Sequence, residues 1–446
     1  MKRKLTTLEL KELLLTGSKA EIAEIIDTIH PVDVLDILHN DEDNALKILN
    51  RLPDELIADI VEEEDDEDKY ELLSQFSDTK QRHILDEMSQ DEVTDLIGEL
   101  DETEVGLVLN KMSRKDQEEV KKLLTFNPDS AGGIMTTEFL SINANSTILE
   151  TLKFLQKNTD NETPYYLYVT DKSHTLKGVV ALRDIVSSSF DTKVIDITNP
   201  NVHSINVLTD QEDVAHKFEK YGFVMMPVTD DDNHMLGVIT VDDIINIIQE
   251  ENTEDIHRLA GINKEEHVDS SIAQSVKSRL PWLVVNLFTA ILAAAVVSSF
   301  EGTIAKVVTL ATIMPIITGM GGNAGTQSMT LIVRAMSLGE ISKENAKPIL
   351  IKEIVVGFIN GLIVGLIISI LAYLFVGNIA IGLLTGIAMW ANMLMANAAG
   401  YFIPVVLKKL HVDPALASTV FVTTVTDVLG FFFFLGLATL MLPYII

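Results

Sequence analysis

One carboxylate, Asp427, stands inside the apolar stretch FVTTVTDVLGFFFF, with no other charged residue between Pro414 and Ile446. A carboxylate at membrane depth is costly unless it faces water, a cation or a partner. Two readings follow: a protonated Asp hydrogen-bonded within a bundle, or a cation ligand in a pore. Thr423, Thr424 and Thr426 lie close enough in sequence to add oxygens. A second acidic group occurs in INIIQEENTEDIHRLAGINKEEH (245–267), where Glu250, Glu251, Glu254 and Asp255 recur at helical spacing on one face. Like charges that crowd a face are destabilising unless cations neutralise them, the plainer alternative being a solvated connector.

A third feature is GMGGNAGTQS (319–328), which has the composition of a surface loop yet lies between two apolar runs. It lacks the Lys–Ser/Thr ending of a phosphate loop. Irregular backbone at membrane depth is tolerated where it is buried in protein or lines a cavity. The glycines therefore permit either a local break that exposes carbonyls beside Asn323 or a close helix–helix contact, with Pro315 upstream able to bend the chain. Asn360, Asn392 and Asn397 read as helix–helix hydrogen-bonding residues.

These residues need a membrane body to hold them. Five apolar stretches, roughly 281–300, 306–333, 350–376, 379–407 and 415–444, are each long enough to cross a bilayer as a helix. Lys277 and Arg279 precede the first; Arg334, Lys343, Lys347 and Lys352 separate the second from the third; Lys408 and Lys409 end the fourth. The positive-inside bias places these bases, and the N-terminal part, in the cytoplasm, with the C-terminus outside. No cleavable signal peptide is expected from MKRKLTTLELKELLLTG.

The charge divides the chain in two. Its 446 residues carry a net charge of −31, but residues 1–280 hold 59 acids against 27 bases, a net of −32, while the remainder is nearly neutral. The acidic body repels nucleic acid, which is not expected as a partner, and attracts cations. With no cysteine in the chain, carboxylates are the main stock of metal ligands. No nucleophile–base constellation occurs, so an enzyme is not expected.

Residues 1–130 read as mostly helical. Met88, Leu100 and Met112 recur every 12 residues, each followed by a cap-type residue (Ser89, Asp101, Ser113) with an acid three positions on (Glu92, Glu104, Asp116). This capping-box pattern predicts short antiparallel helices stacked into a superhelix. The run EEEDDED (62–68) reads most simply as a solvated acidic turn, able to bind cations weakly but without calcium-loop spacing.

YVTDKSHTLKGVVALRDIV (168–186) and PVTDDDNHMLGVITVDDII (227–245) match at a constant offset of 59. Each half reads strand, turn, strand, helix, with Val169 and Val228 in one strand, Gly178 and Gly237 in the next, and Asp184 and Asp243 at the helix start. The pair resembles a tandem CBS module. That resemblance implies a nucleotide contact at Thr240 and Asp243, which the first half lacks because Ala181 precedes Asp184; simple N-capping is the alternative.

NPDSAGGIMTTEF, VDDIINIIQEENTEDIHRLAG, GGNAGTQS and VDPALASTVFVTTVTDVLG occur in one order along the chain. In that order they resemble the MgtE family of magnesium channels and transporters. The resemblance implies a multidomain architecture: an all-α superhelical N domain (1–130), an α/β tandem CBS pair (131–248), a connecting or plug helix (249–278) and an α-helical membrane domain with five transmembrane helices (279–446). It implies a homodimer with its pore on the two-fold axis, where Asp427, with Thr423 and Asn323 nearby, holds a hydrated Mg²⁺ ion. Asp413 matches a regulatory Mg²⁺ position, and Glu212, Asp243, Glu251, Glu254 and Asp255 match acids of the cytosolic Mg²⁺ sites. Gly222 and Asn246 depart from the pattern, standing where acids are found in the second CBS repeat.

The expected function is a Mg²⁺-selective channel or transporter of the cell membrane, closed when cytosolic Mg²⁺ bridges these acids, with ATP as a further ligand of the CBS pair. The alternatives are an ion-coupled divalent-cation transporter and a membrane-anchored Mg²⁺ or nucleotide sensor.

Overall fold

The computed structural model describes residues 6–158, 166–263, 266, 268, 270–342, 344–416 and 418–446, arranged as two compact units, Met1–Ile248 and Gln249–Ile446. Lys343, counted among the orienting bases, lies outside the described residues.

The first unit begins with ten short helices, α1 to α10, between Thr7 and Leu123. The last four are α7 (Asp78–Glu87), α8 (Gln90–Gly98), α9 (Glu102–Leu109) and α10 (Arg114–Leu123), so their starts keep the 12-residue spacing. Met88 is buried, and Leu100 and Met112 pack against the same core, which explains the period. The caps are only partly as expected. Asp101 accepts the Thr103 and Glu104 N–H groups and Ser113 accepts that of Asp116. Ser89 makes no side-chain cap; its N–H donates to Glu62 Oε1 at 2.6 Å, while Glu92 is drawn away to Lys69 at 2.5 Å. Long-range ion pairing thus replaces the local box.

The acidic run is also less solvated than its composition suggests. It joins α5 (Asp54–Glu62) to α6 (Asp66–Ser74); Glu64 is buried and meets His39 Nε2 at 3.0 Å. Single oxygens of Glu64, Asp65 and Asp68 lie within 4.8 Å of one another.

Two three-stranded sheets follow. One is β1 (Ser141–Asn143), β2 (Tyr166–Thr170) and β3 (Leu176–Ala181); the other is β4 (Ile205–Asn206), β5 (Met225–Thr229) and β6 (Met235–Thr240). Within each, the first pair is parallel and the second antiparallel. Register repeats with the 59-residue offset: Val169 faces Gly178 as Val228 faces Gly237. Leu176 N–H donates to Asn233 O and Met235 N–H to His174 O, both at 2.9 Å, so the halves meet through equivalent turns. Helices α11 (Ile148–Leu155), α12 (Leu182–Ser187), α13 (Val194–Ile197) and α14 (Gln211–Tyr221) cover the sheets, and α15 (Val241–Ala260) follows β6. Gly222, which departs from the acidic pattern of the family, closes α14 in the left-handed region at φ +65°, a conformation that suits glycine.

The second unit is helical: α16 (Ile272–Ser299), α17 (Glu301–Lys306), α18 (Thr309–Ser337), α19 (Ala346–Val376), α20 (Ile379–Lys409), α21 (Ser418–Leu440) and α22 (Leu442–Ile445). Four of these, α16, α19, α20 and α21, are long and apolar enough to cross a membrane. The fifth long helix, α18, is 29 residues and contains GMGGNAGTQS.

That stretch is unbroken helix, so of the two readings the local break does not occur and the close helix contact does. A Cβ at Gly325 would lie 2.5 Å from Val422 Cγ1, and one at Gly400 would lie 2.6 Å from Gly325 O. In lipid, where tails are as apolar as leucine, such backbone approach is a main source of helix cohesion. Gly400→Val should therefore lower the stability of the solubilised chain by about 1–3 kcal/mol through overpacking. Thermal loss of helical circular dichroism would show it, with Gly436→Ala, where nothing lies within 4 Å, as the unperturbed reference.

Candidate functional site

In the membrane unit, α21 packs beside α16, α18 and α20. Asp427 is half-buried on α21, one turn beyond Thr423. The threonine hydroxyls donate within their own helix: Thr423 to Thr419 O at 2.9 Å, Thr424 to Val420 O at 2.5 Å and Thr426 to Thr423 O at 3.0 Å. They retain lone pairs for a hydrated ion but no free proton. Asn323 is exposed on α18, on the side away from buried Gly321 and Gly325. No hydrogen bond joins Asn323 to Asp427 among the described residues. Asn392 Nδ2 donates to Ile317 O at 2.8 Å, a helix–helix bond as expected, whereas Asn397 Nδ2 bonds Met393 O of its own helix. Asn360 is exposed.

Beside these helices the second half of α15 sits on the α20–α21 turn. Asp413 Oδ1 accepts the Ala415 N–H at 2.7 Å, fixing the DPAL turn through its own side chain. Leu259 packs against Met329, Val333, Ala415 and Val422, and Thr419 Oγ1 donates to Leu259 O at 2.6 Å. That bond satisfies one carbonyl that the helix end leaves open. Gly261, at φ +74°, ends the helix there.

The expected acids Glu254, Asp255 and Asp413 converge at this contact. Arg258 forms ion pairs with both Glu254 and Asp413. Arg334 donates to Asn252 Oδ1 at 2.8 Å. Burial, then the Asp413 charge, raises the Asp255 carboxyl above its ordinary pKa, against a hydrogen bond to Ser337 and the charge of Arg334. Glu251 stands one turn earlier on the same helix.

A second acid cluster lies in the first unit. Thr240 Oγ1 donates to Asp243 Oδ2 at 2.7 Å, so the pair expected to meet a nucleotide is joined to itself. Burial, with the Asp242 and Glu92 charges, pushes Asp243 up to about 6. Asp91 is raised by burial and by Asp243, and its Oδ1 is buried without a hydrogen bond among the described residues. Asp95 is pushed up to about 8 by burial and by Asp66, Glu92 and Asp91, and Glu62 to about 7, chiefly by burial. Lys69 answers part of this charge, 2.5 Å from both Asp66 and Glu92. A divalent cation suits such surplus negative charge. Glu212 stands in the first turn of α14, 3.8 Å from His216.

Sequence reading gave no site role to Glu62, Asp91, Glu92, Asp95 or Arg258, placing Glu62 only in the solvated acidic turn. Glu92 carried a signal, but as a capping acid; nothing in the sequence indicated which helix faces Asp243.

The chain is 39% identical over 329 residues to the magnesium transporter MgtE of Enterococcus faecalis, covering 74% of this chain and 72% of that one. The chain belongs to the MgtE family. The MgtE model, described as a divalent cation transporter, matches residues 314–437; the MgtE intracellular N domain matches 11–129, and CBS domains match 131–191 and 194–250. The Thermus thermophilus MgtE is 34% identical over 337 residues, 74% of this chain and 73% of that one. Two solved structures each resemble about half of this chain. The soluble part of a magnesium transporter has 36% identity and a TM-score of 0.52, covering 55% of this chain and 97% of its own. The cytosolic domain of the Mg²⁺ channel MgtE in complex with ATP has 31% identity and a TM-score of 0.50, covering 54% and 100%.

Proposed function

We propose that this chain is a Mg²⁺-selective channel of the cell membrane that cytosolic Mg²⁺ closes. The observation that carries the reading is Asp427, a half-buried carboxylate in the long apolar helix α21. Mg²⁺ sheds water reluctantly and takes one or two carboxylates with retained waters in preference to a cage of protein ligands. One Asp427 from each of two subunits, with Thr423 and Asn323 oxygens outside the water shell, meets that demand. The pore thus calls for a homodimer, each subunit contributing five spans with α18 as the fifth.

The bases Lys277, Arg279, Arg334, Lys347, Lys352, Lys408 and Lys409 support a cytoplasmic N-terminus and an outer C-terminus. Closure draws on two acid groups, Asp91–Glu92–Asp243 and Glu254–Asp255–Asp413, with Glu212 and Glu251 as further cytosolic Mg²⁺ ligands. Ions that bind them in the closed state supply the differential affinity that a shift in population requires. ATP at the CBS pair, with Thr240 and Asp243 at its edge, is proposed from the relative solved with ATP.

The test is Mg²⁺ flux in proteoliposomes with equal pH on both sides and no Na⁺. Passive flux down the Mg²⁺ gradient is expected. A strict requirement for a proton or Na⁺ gradient would instead make the protein a coupled transporter.

A further inference from the structure

Arg258 lies where a regulatory ion is expected to lie. Its guanidinium pairs with Glu254 one helical turn before it and with Asp413 in the α20–α21 turn, 155 residues away in sequence. Arginine stays charged at every physiological pH and presents donors in a planar fork, so it serves as a permanent cation between two carboxylates. We propose that Arg258 is a positioning residue, a built-in stand-in for the regulatory cation that holds the connecting helix on the α20–α21 turn until Mg²⁺ displaces it.

The like-charge repulsion anticipated for this acidic helix is accordingly met in part by the protein itself. Arg334 adds a second basic contact, to Asn252 on the same helix. Around this seam Leu259 is packed against Met329, Val333 and Ala415, and its carbonyl accepts from Thr419. Protein groups thus supply contacts of their own that hold the helix at this turn. Arg258 leaves its two acids with one net negative charge, whereas a divalent ion cancels both. Mg²⁺ bound by one carboxylate of each partner, with waters completing its octahedron, is the better neutraliser. The exchange has a consequence for gating: Arg258 raises docking in the ion-free state and contributes nothing once the ion is in place. It narrows the difference between the two states and so limits how far the channel opens when Mg²⁺ is scarce.

The inference rests on the proposed Mg²⁺ closure, and its test separates the two. The full-length protein is reconstituted, and proteinase K cleavage of segment 249–263 is followed in chelator and in saturating Mg²⁺. For Arg258→Gln, cleavage in chelator should be roughly two- to five-fold faster than in the parent, the range open to a partly exposed ion pair. In saturating Mg²⁺ the two proteins should be cleaved at the same rate. Arg258→Lys, which keeps a cation, should fall between them in chelator and serves as a folding control. Equal rates in chelator would overturn the proposal. So would a difference that persists undiminished in saturating Mg²⁺, since that would make Arg258 an ordinary structural contact. Should the parent itself show no Mg²⁺ protection, the closure reading fails, while the chelator arm still reports whether Arg258 docks the helix.

Discussion

Asp427→Ala should reduce Mg²⁺ uptake by about 100-fold or more, the scale set by the few kcal/mol at stake for one charge at membrane depth. The reasoning starts from composition: no other charged side chain lies between Pro414 and Ile446 to substitute for it. Asp427→Asn keeps the size and loses the charge, so it should fail nearly as completely. Asp427→Glu should retain measurable uptake. Thr423→Val should do far less, about ten-fold at most by the net worth of one neutral hydrogen bond, because the Thr423 hydroxyl already donates to Thr419 O. Growth of a Mg²⁺-uptake-deficient bacterium carrying each variant reads the series. Full rescue by Asp427→Ala would leave the chain as a sensor rather than a conduit.

Without divalent ions, the first unit should lose stability as pH rises from about 4 to about 8. Asp95, Glu62 and Asp243 are held at about 8, 7 and 6, all above the ordinary carboxylate range of an unfolded chain. An acid whose folded pKa is raised favours folding while it is protonated. That contribution is complete below the unfolded value and is lost as pH climbs through the folded one. Asp95→Asn removes the largest share. At pH 8 in chelator it should stabilise the protein by on the order of 3 kcal/mol, since Asp95 is mostly buried beside like charges and the variant carries none. Millimolar Mg²⁺ should raise the parent's melting temperature at pH 8 by binding the folded state, and raise that of the variant less. Thermal melts across pH, with and without the ion, check both. A parent curve that is flat from pH 5 to pH 8 in chelator would contradict the burial and charge assigned to these acids.

Periodic features of the chain were legible before the fold was known. The 59-residue offset predicts not only two matching halves but matching register, because strand pairing follows the same side-chain alternation in both. It passes over β1 and β4, which at three and two residues are too short for any alternation to show. The 12-residue spacing of Met88, Leu100 and Met112 locates helix starts but not the pull of Lys69 on Glu92. GMGGNAGTQS misleads because its glycines suggest loop, and their helix-breaking cost is offset only where another backbone comes close enough to use the space, as Gly400 does at Gly325. Asp427, Asp413 and the acids of α15 stand out by charge against their surroundings. Arg258 does not, because a base one turn beyond an acid looks like an ordinary helix pair until Asp413 is brought to its other side.

Recording single-channel currents from inside-out patches while cytosolic Mg²⁺ is raised from micromolar to millimolar tests the central claim most directly. Open probability should fall toward zero as the acids fill, and Asp255→Asn with Asp413→Asn should shift that fall to higher Mg²⁺. Currents that persist unchanged at millimolar Mg²⁺ would contradict closure by the permeant ion.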